Sequence, residues 1–209
     1  MPLQFKHQVI NGGELAVWKV LETPEELLEI LKAYRIYADI PYFRNPKRLS
    51  EWLATRALLC ELGVKQKIVY NDLGKPYLDG EHSHISISHS GDYVAVITHP
   101  DNQVGVDVEM VGDRIHRVSH KFVNESEMTW FSKDQETLRL YIIWGAKECA
   151  FKIFGLGSID FRDHLTVEPF TIGPSGISRV RFKKDEIDCI YQIFFQYLDN
   201  LVITYAIGS

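Results

Sequence analysis

No stretch of the 209-residue chain approaches the roughly 18–20 consecutive apolar residues that a membrane helix requires. Cysteine is scarce: Cys60, Cys149 and Cys189 are an odd number, far apart and without a C-x-x-C pair. That pattern excludes a paired disulfide framework and a zinc ribbon, and it points to a reduced, intracellular protein. Positive charge is not in excess either. With 23 Lys and Arg against 28 Asp and Glu, the formal charge is −5, so there is no cationic surplus to release phosphate counterions and nucleic acid is not an expected partner. Met1-Pro2-Leu3-Gln4-Phe5-Lys6 lacks an apolar signal-peptide region, which makes a cytoplasmic location without a membrane partner the expectation. A low-complexity linker and a legible internal repeat are also missing.

What is present is 45% hydrophobic residues, enough for a well-buried core in one compact α+β unit or two fused lobes. Leu15–Val20 reads as a strand. Thr23-Pro24-Glu25-Glu26 caps a helix expected to run to about Ala38, and Asn45-Pro46 opens a second helix that stops at Gly63. Lys67–Tyr70 is a short strand before the Asn71-Asp72-Leu73-Gly74 turn. The run His84–Ser88, the Ser90-Gly91-Asp92 turn and Tyr93–Thr98 form a hairpin, and the strand after Asp101-Asn102 is expected to complete a three-stranded meander. Helical stretches follow from about Arg114, near Asn124–Met128 and from about Gln135 to Ile153. The β-rich runs are Leu165–Phe170, Arg179–Phe182, Ile187–Tyr197 and Leu201–Ala206.

Two acidic constellations stand out. In Gly105-Val106-Asp107-Val108-Glu109 a strand would put both carboxylates on one face about 7 Å apart, with the valines on the other. In Trp144-Gly145-Ala146-Lys147-Glu148-Cys149-Ala150-Phe151-Lys152 a helix would place Trp144, Lys147, Glu148, Phe151 and Lys152 on one broad face. Three carboxylates and a lysine in one place can hold a hard divalent cation and a phosphate together, which is phosphoryl or nucleotidyl-type chemistry.

With Gly74-Lys75-Pro76 and Ser88-His89-Ser90 preceding them, these segments form an ordered set: G-K-P, S-H-S, G-V-D-V-E and W-x-x-K-E-x-x-x-K. Over roughly residues 44–168 the set resembles the 4′-phosphopantetheinyl transferases, specifically the longer single-chain type that modifies carrier proteins. The resemblance implies a pseudo-twofold α+β protein of two fused α/β lobes, about residues 1–105 and 106–209 of a single unit, with coenzyme A in the cleft between them and a monomeric state. It implies Mg²⁺, with Mn²⁺ as the alternative, held by Asp107, Glu109 and Glu148. It also implies an apo-acyl or peptidyl carrier protein as acceptor, in a reaction that gives the holo-carrier protein and 3′,5′-ADP.

In the same terms Glu148 orients or deprotonates the acceptor serine, and Lys152 reaches a coenzyme phosphate. Ser88 and His89 contact a phosphate, Lys75 lies beside the adenine, and a basic patch of Arg44, Lys47, Arg48 and Arg56 takes the 3′-phosphate. Lys147 either packs or positions phosphate, and Trp144 and Phe151 pack. Cys149, where a small Ala or Ser is usual, is expected to be inert. His82 and His84 lack a third ligand and are not read as a metal site. Two other functions fit parts of the pattern: a non-catalytic coenzyme A or carrier-protein binding module, and a magnesium-dependent phosphohydrolase.

Overall fold

The computed structural model describes residues 3–36, 40–80, 82–130, 135–155 and 158–208. The first part of the chain contributes β1 (Leu3–Gln8), β2 (Glu14–Lys19), α1 (Pro24–Ala33), α2 (Pro46–Glu61), β3 (Ile68–Tyr70), β4 (Pro76–Leu78), β5 (His84–Ser90) and β6 (Tyr93–His99). The second contributes β7 (Val104–Met110), α3 (Arg114–Val118), α4 (Glu125–Met128), α5 (Glu136–Phe154), β8 (Leu165–Val167), β9 (Ser175–Lys184), β10 (Ile187–Leu198) and β11 (Leu201–Ile207). Two antiparallel sheets organise these elements, β1-β2-β6-β5 and β7-β11-β10-β9-β8, beside a small β3-β4 pair. Among the described residues no helix is long and apolar enough to cross a membrane.

Three apolar clusters hold the molecule together. Leu27 and Leu31 of α1 and Leu53, Ala57 and Leu58 of α2 cover one face of the first sheet. Leu140, Ile143, Ala146 and Ala150 of α5 cover the second sheet through Val180, Phe182 and Ile193. The remaining faces of both sheets meet through Leu15, Val17, Ala95 and Ile97 on one side and Val104, Val106, Val108 and Ile203 on the other. Strand β6 is therefore buried along its whole length, which is why its sequence is apolar from Tyr93 to Ile97 instead of alternating.

Two expectations are corrected. Helix α1 ends at Ala33, not near Ala38, because Arg35 turns left-handed at φ 59° and Ile36 donates its N–H back to the Leu31 carbonyl; residue 38 itself lies outside the described residues. The meander is a hairpin of β5 and β6 only. Strand β7 leaves it to pair with β11 at the edge of the second sheet.

Gly105 shows what draws β7 away: a side chain there would collide with the backbone of Cys149, so α5 presses directly on this strand. Gly145 makes the reciprocal close approach, of α5 on Thr204 in β11. Helix α5 is buried on nearly every side, with Leu140–Ile143, Gly145–Lys147, Cys149, Ala150 and Ile153 all inside. An internal helix of this kind shows little amphipathic pattern.

Candidate active site

The free edge of β7 has N–H groups that need acceptors. Strand β5 supplies them from side chains: Val106, Val108 and Met110 donate to the hydroxyls of Ser86, Ser88 and Ser90 at 3.1, 3.2 and 3.3 Å. This ladder joins the two sheets and aims the acids. Ser88 donates to Asp107 Oδ1 at 2.8 Å and Ser90 to Glu109 Oε2 at 2.7 Å. Arg114, just past the end of β7, donates to the same Glu109 oxygen at 2.6 Å.

From α5, Lys152 reaches the strand. Its Nζ donates to the Val106 carbonyl at 2.7 Å and to Asp107 Oδ1 at 2.9 Å, and lies 4.0 Å from Glu148 Oε2. Burial would depress this ammonium, but Asp107 and then Glu148 outweigh it and raise its pKa. Glu148 is pushed up to about 7, first by burial and then by the charge of Asp107. Glu109 is also raised, chiefly by burial. These anions are crowded beyond what one lysine compensates.

Asp107 Oδ2 is buried without any hydrogen-bond partner. An orphaned carboxylate oxygen among mutually repelling carboxylates suits a hard divalent cation, whose preferred donors are oxygens. Among the described residues no three His, Cys, Asp or Glu side chains already stand together as a metal-binding group. Lys152 lies between Asp107 and Glu148, and Ser90 and Arg114 hold one oxygen of Glu109. For a cation to sit here the acids would have to close around it, which requires Lys152 to move aside.

A groove leads away from this acidic end. Its near section, about 300 Å³, is lined by Lys152, Phe151, Gly155, Ser86, Lys75 and Pro76. The far section, about 280 Å³, is lined by Arg48, Arg56, His89, Glu51 and the rings of Phe43, Trp52 and Tyr70. Gly74, Pro76 and Ile87 line both, so the two sections are continuous. Asn45 caps α2 by accepting from Lys47 N at 3.0 Å, and the helix carries Arg48 and Arg56 to the same cavity as His89 of β5. Arg48 Nη1 stands 2.8 Å from His89 Nε2. Arg56 lies flat on Trp52, with Cζ 3.3 Å from the ring centre, and burial lowers it to about 10.

Several expected residues are placed differently from their sequence reading. Ser88 is buried with its hydroxyl committed to Asp107 and Val108, so it positions an acid and does not line the groove. Lys75 spends its ammonium on Gln103 at 2.7 Å and the Ile153 carbonyl at 2.9 Å, tying the G-K-P turn to the end of α5. Lys147 does not share a face with Glu148 and Lys152. It is fully buried, and its three protons go to Glu127 and to the carbonyls of Phe122 and Phe161. Arg44 and Lys47 do not line the cavity that holds Arg48 and Arg56. Cys149 is fully buried beside Thr204 at 3.3 Å, and burial raises its thiol. Trp144 and Phe151 pack on Phe161.

Sequence reasoning missed Ser90, Arg114, Glu51 and Glu127. Ser90 and Arg114 were findable only from the β5–β7 register, since a single sequence does not say which strands lie edge to edge. Asn124 and Glu127 do carry a legible signal, a capping box in which each side chain accepts the other's backbone N–H.

Comparison with known proteins places this geometry. Residues 103–206 match the family model described as the 4′-phosphopantetheinyl transferase superfamily. The chain is similar to the 4′-phosphopantetheinyl transferase gsp of Aneurinibacillus migulanus, 26% identical over 146 residues that cover 66% of this chain and 58% of the relative. It is similar to the 4′-phosphopantetheinyl transferase AcpT of Escherichia coli K12, 31% identical over 116 residues covering 52% and 59%. The AcpT of Salmonella typhimurium is 30% identical over 112 residues, covering 50% and 58%. In each case the alignment spans less than two thirds of the relative. The matched segment, which carries Asp107, Glu109, Glu148 and Lys152, belongs to the 4′-phosphopantetheinyl transferase superfamily.

Proposed function

We propose that the protein transfers the 4′-phosphopantetheine group of coenzyme A to a serine of an apo-acyl or peptidyl carrier protein, releasing 3′,5′-ADP. The observation that carries this reading is the polarity of the groove. One end offers guanidinium, imidazole and aromatic surface fit for a phosphorylated nucleotide, and the other an under-compensated carboxylate group fit for a cation at a pyrophosphate. A phosphohydrolase acting on nucleotides needs the acids but not a second, remote anion site. A pure binding module needs the remote site but gains nothing from buried, repelling acids.

In this reading Asp107, Glu109 and Glu148 hold Mg²⁺ or Mn²⁺, which when bound polarises the pyrophosphate and stabilises the departing 3′,5′-ADP. Ser88 and Ser90 hold Asp107 and Glu109 in register. Lys152, released from Asp107, turns its ammonium to a phosphate oxygen in the adjoining groove. Glu148 orients the acceptor hydroxyl and takes up its proton. Arg48, Arg56 and His89 bind the 3′-phosphate, with Trp52 backing Arg56, and Lys75 fixes the turn between the two groove sections.

The exposed run Arg114, His116, Arg117, His120 and Lys121 starts beside Glu109 and gives an acidic carrier protein a basic surface next to the reacting atoms. The two sheets, each with its own helix-covered core, support two fused lobes, about residues 1–105 and 106–209, which this reading takes as a pseudo-twofold pair in a monomer.

The test is intact-mass spectrometry of an apo-carrier protein incubated with the protein, coenzyme A and Mg²⁺. A gain equal to phosphopantetheine is expected. An unmodified carrier across a panel of acyl and peptidyl carriers, or coenzyme A hydrolysed without transfer, contradicts the reading.

A further inference from the structure

The cationic end of the groove contains an acid that phosphate binding does not call for. Glu51 lies on α2, one turn after Arg48, with its side chain 14% exposed against 57% for Arg48 and 40% for His89. Its Oε2 is 3.1 Å from Arg48 Nη1 and 3.8 Å from His89 Nε2. An ordinary surface pair at this spacing would have both ends in water. Here the carboxylate turns into the cavity, toward a histidine on a different element.

The local charges are easily followed. A guanidinium has no acceptor, so at 2.8 Å it is Arg48 that donates, and His89 receives the bond on Nε2 with its proton on Nδ1. A neutral imidazole, one guanidinium and one carboxylate sum to zero at this spot. Arg56 adds a cation, but it is stacked on Trp52 and donates to the Trp52 carbonyl at 3.1 Å. A phosphate dianion arriving here must compete with Glu51 for Arg48 and sit close to a like charge.

We infer that Glu51 is a specificity-determining residue: an internal anion that stands in for phosphate at Arg48 and His89 and so weakens the preference for a coenzyme carrying a 3′-phosphate over one without it. The inference rests on the proposed function in one respect, that this cavity takes the nucleotide end of coenzyme A.

Calorimetric titration of 3′,5′-ADP and 5′-AMP into wild type, Glu51→Gln and Glu51→Ser tests it, because the two nucleotides differ only by the 3′-phosphate. Glutamine keeps the shape and an acceptor for Arg48 but loses the charge. Removing one unit charge a few ångströms from a dianion at a partly exposed site should tighten 3′,5′-ADP roughly tenfold and leave 5′-AMP within about twofold. Glu51→Ser should move both ligands in the same directions. If wild type binds 3′,5′-ADP and both variants bind it no tighter, or less tightly, Glu51 positions Arg48 and the inference is overturned while the proposed function stands. If wild type binds neither nucleotide, the reading of the cavity fails and the inference falls with it.

Discussion

The two ends of the groove are built on opposite plans. At the acidic end the two strand acids are held by partners on other elements: Asp107 and Glu109 on β7 by serines of β5, and Asp107 again by Lys152 of α5. At the other end Arg48, Glu51 and Arg56 are turns of one helix reaching across to His89, and Arg48 and His89 are largely in water. A buried, braced and electrostatically crowded group costs stability and pre-positions charge where a reaction develops it. A half-exposed cationic patch costs little and binds ground and transition states alike. On the proposed function, the difference gives chemistry to one end and affinity to the other.

The largest effect should come from the acids. Asp107→Asn removes the charge from the orphaned oxygen without altering volume, and kcat should fall roughly 10²–10³-fold. Thermal melts with and without Mg²⁺ give a second reading. Wild type should rise with Mg²⁺, by an amount set by the ratio of free ion to Kd, and the variant should not.

Glu148→Gln should lose turnover while gaining stability, but only at high pH. The carboxyl is raised in the folded state from 4.5 to about 7, so folding holds the proton more tightly than the unfolded chain does. Stability from this group is fully present below 4.5 and is lost as pH rises through about 7, a penalty of roughly 3 kcal/mol for the ionised form. Glutamine does not titrate. The variant should melt several degrees above wild type at pH 8 without added metal and close to it at pH 4.5. An equal shift at both values would mean that Glu148 is not raised in the folded protein.

At the cationic end the effects should be smaller and of another kind. Arg48→Ala or His89→Ala removes one charge-assisted contact worth roughly 1.5–3 kcal/mol, raising the KM for coenzyme A about tenfold to a hundredfold with kcat nearly unchanged. The same variants should narrow the gap between coenzyme A and its 3′-dephospho form.

The smallest effect belongs to Ser90→Ala. It leaves Glu109 held by Arg114 alone and the Met110 N–H without its acceptor. A stability loss of about 1 kcal/mol and a several-fold drop in kcat are expected from denaturant unfolding and steady-state rates. A change in KM alone would place the serine with the other end.

The sequence carried the acidic end better than the cationic end, and the reason is local periodicity. Asp107 and Glu109 share a face because strand residues two apart must, and Gly105 precedes them because α5 touches the backbone there. Helix spacing served Glu148 and Lys152 but misplaced Lys147, since α5 is apolar on all sides and gives no stripe from which to read direction. Pairing of β7 with β11 joins residues nearly a hundred positions apart and leaves no local trace. The same is true of the serine ladder, whose period-two serines satisfy the N–H groups of a neighbouring strand. At the cationic end Arg48 and Arg56 are eight apart on α2 and so near one helix face, whereas nothing local marks Glu51 as turned toward His89 of another element.

The division of labour between the two ends is tested most directly by measuring kcat and the coenzyme A KM side by side for wild type, Asp107→Asn and Arg48→Ala, with an apo-carrier protein as acceptor and titrations of 3′,5′-ADP into each. The account predicts that Asp107→Asn loses kcat yet binds 3′,5′-ADP as wild type does, while Arg48→Ala keeps kcat and binds it at least about tenfold more weakly. Loss of kcat in Arg48→Ala with an unchanged KM, or loss of 3′,5′-ADP binding in Asp107→Asn, would contradict it.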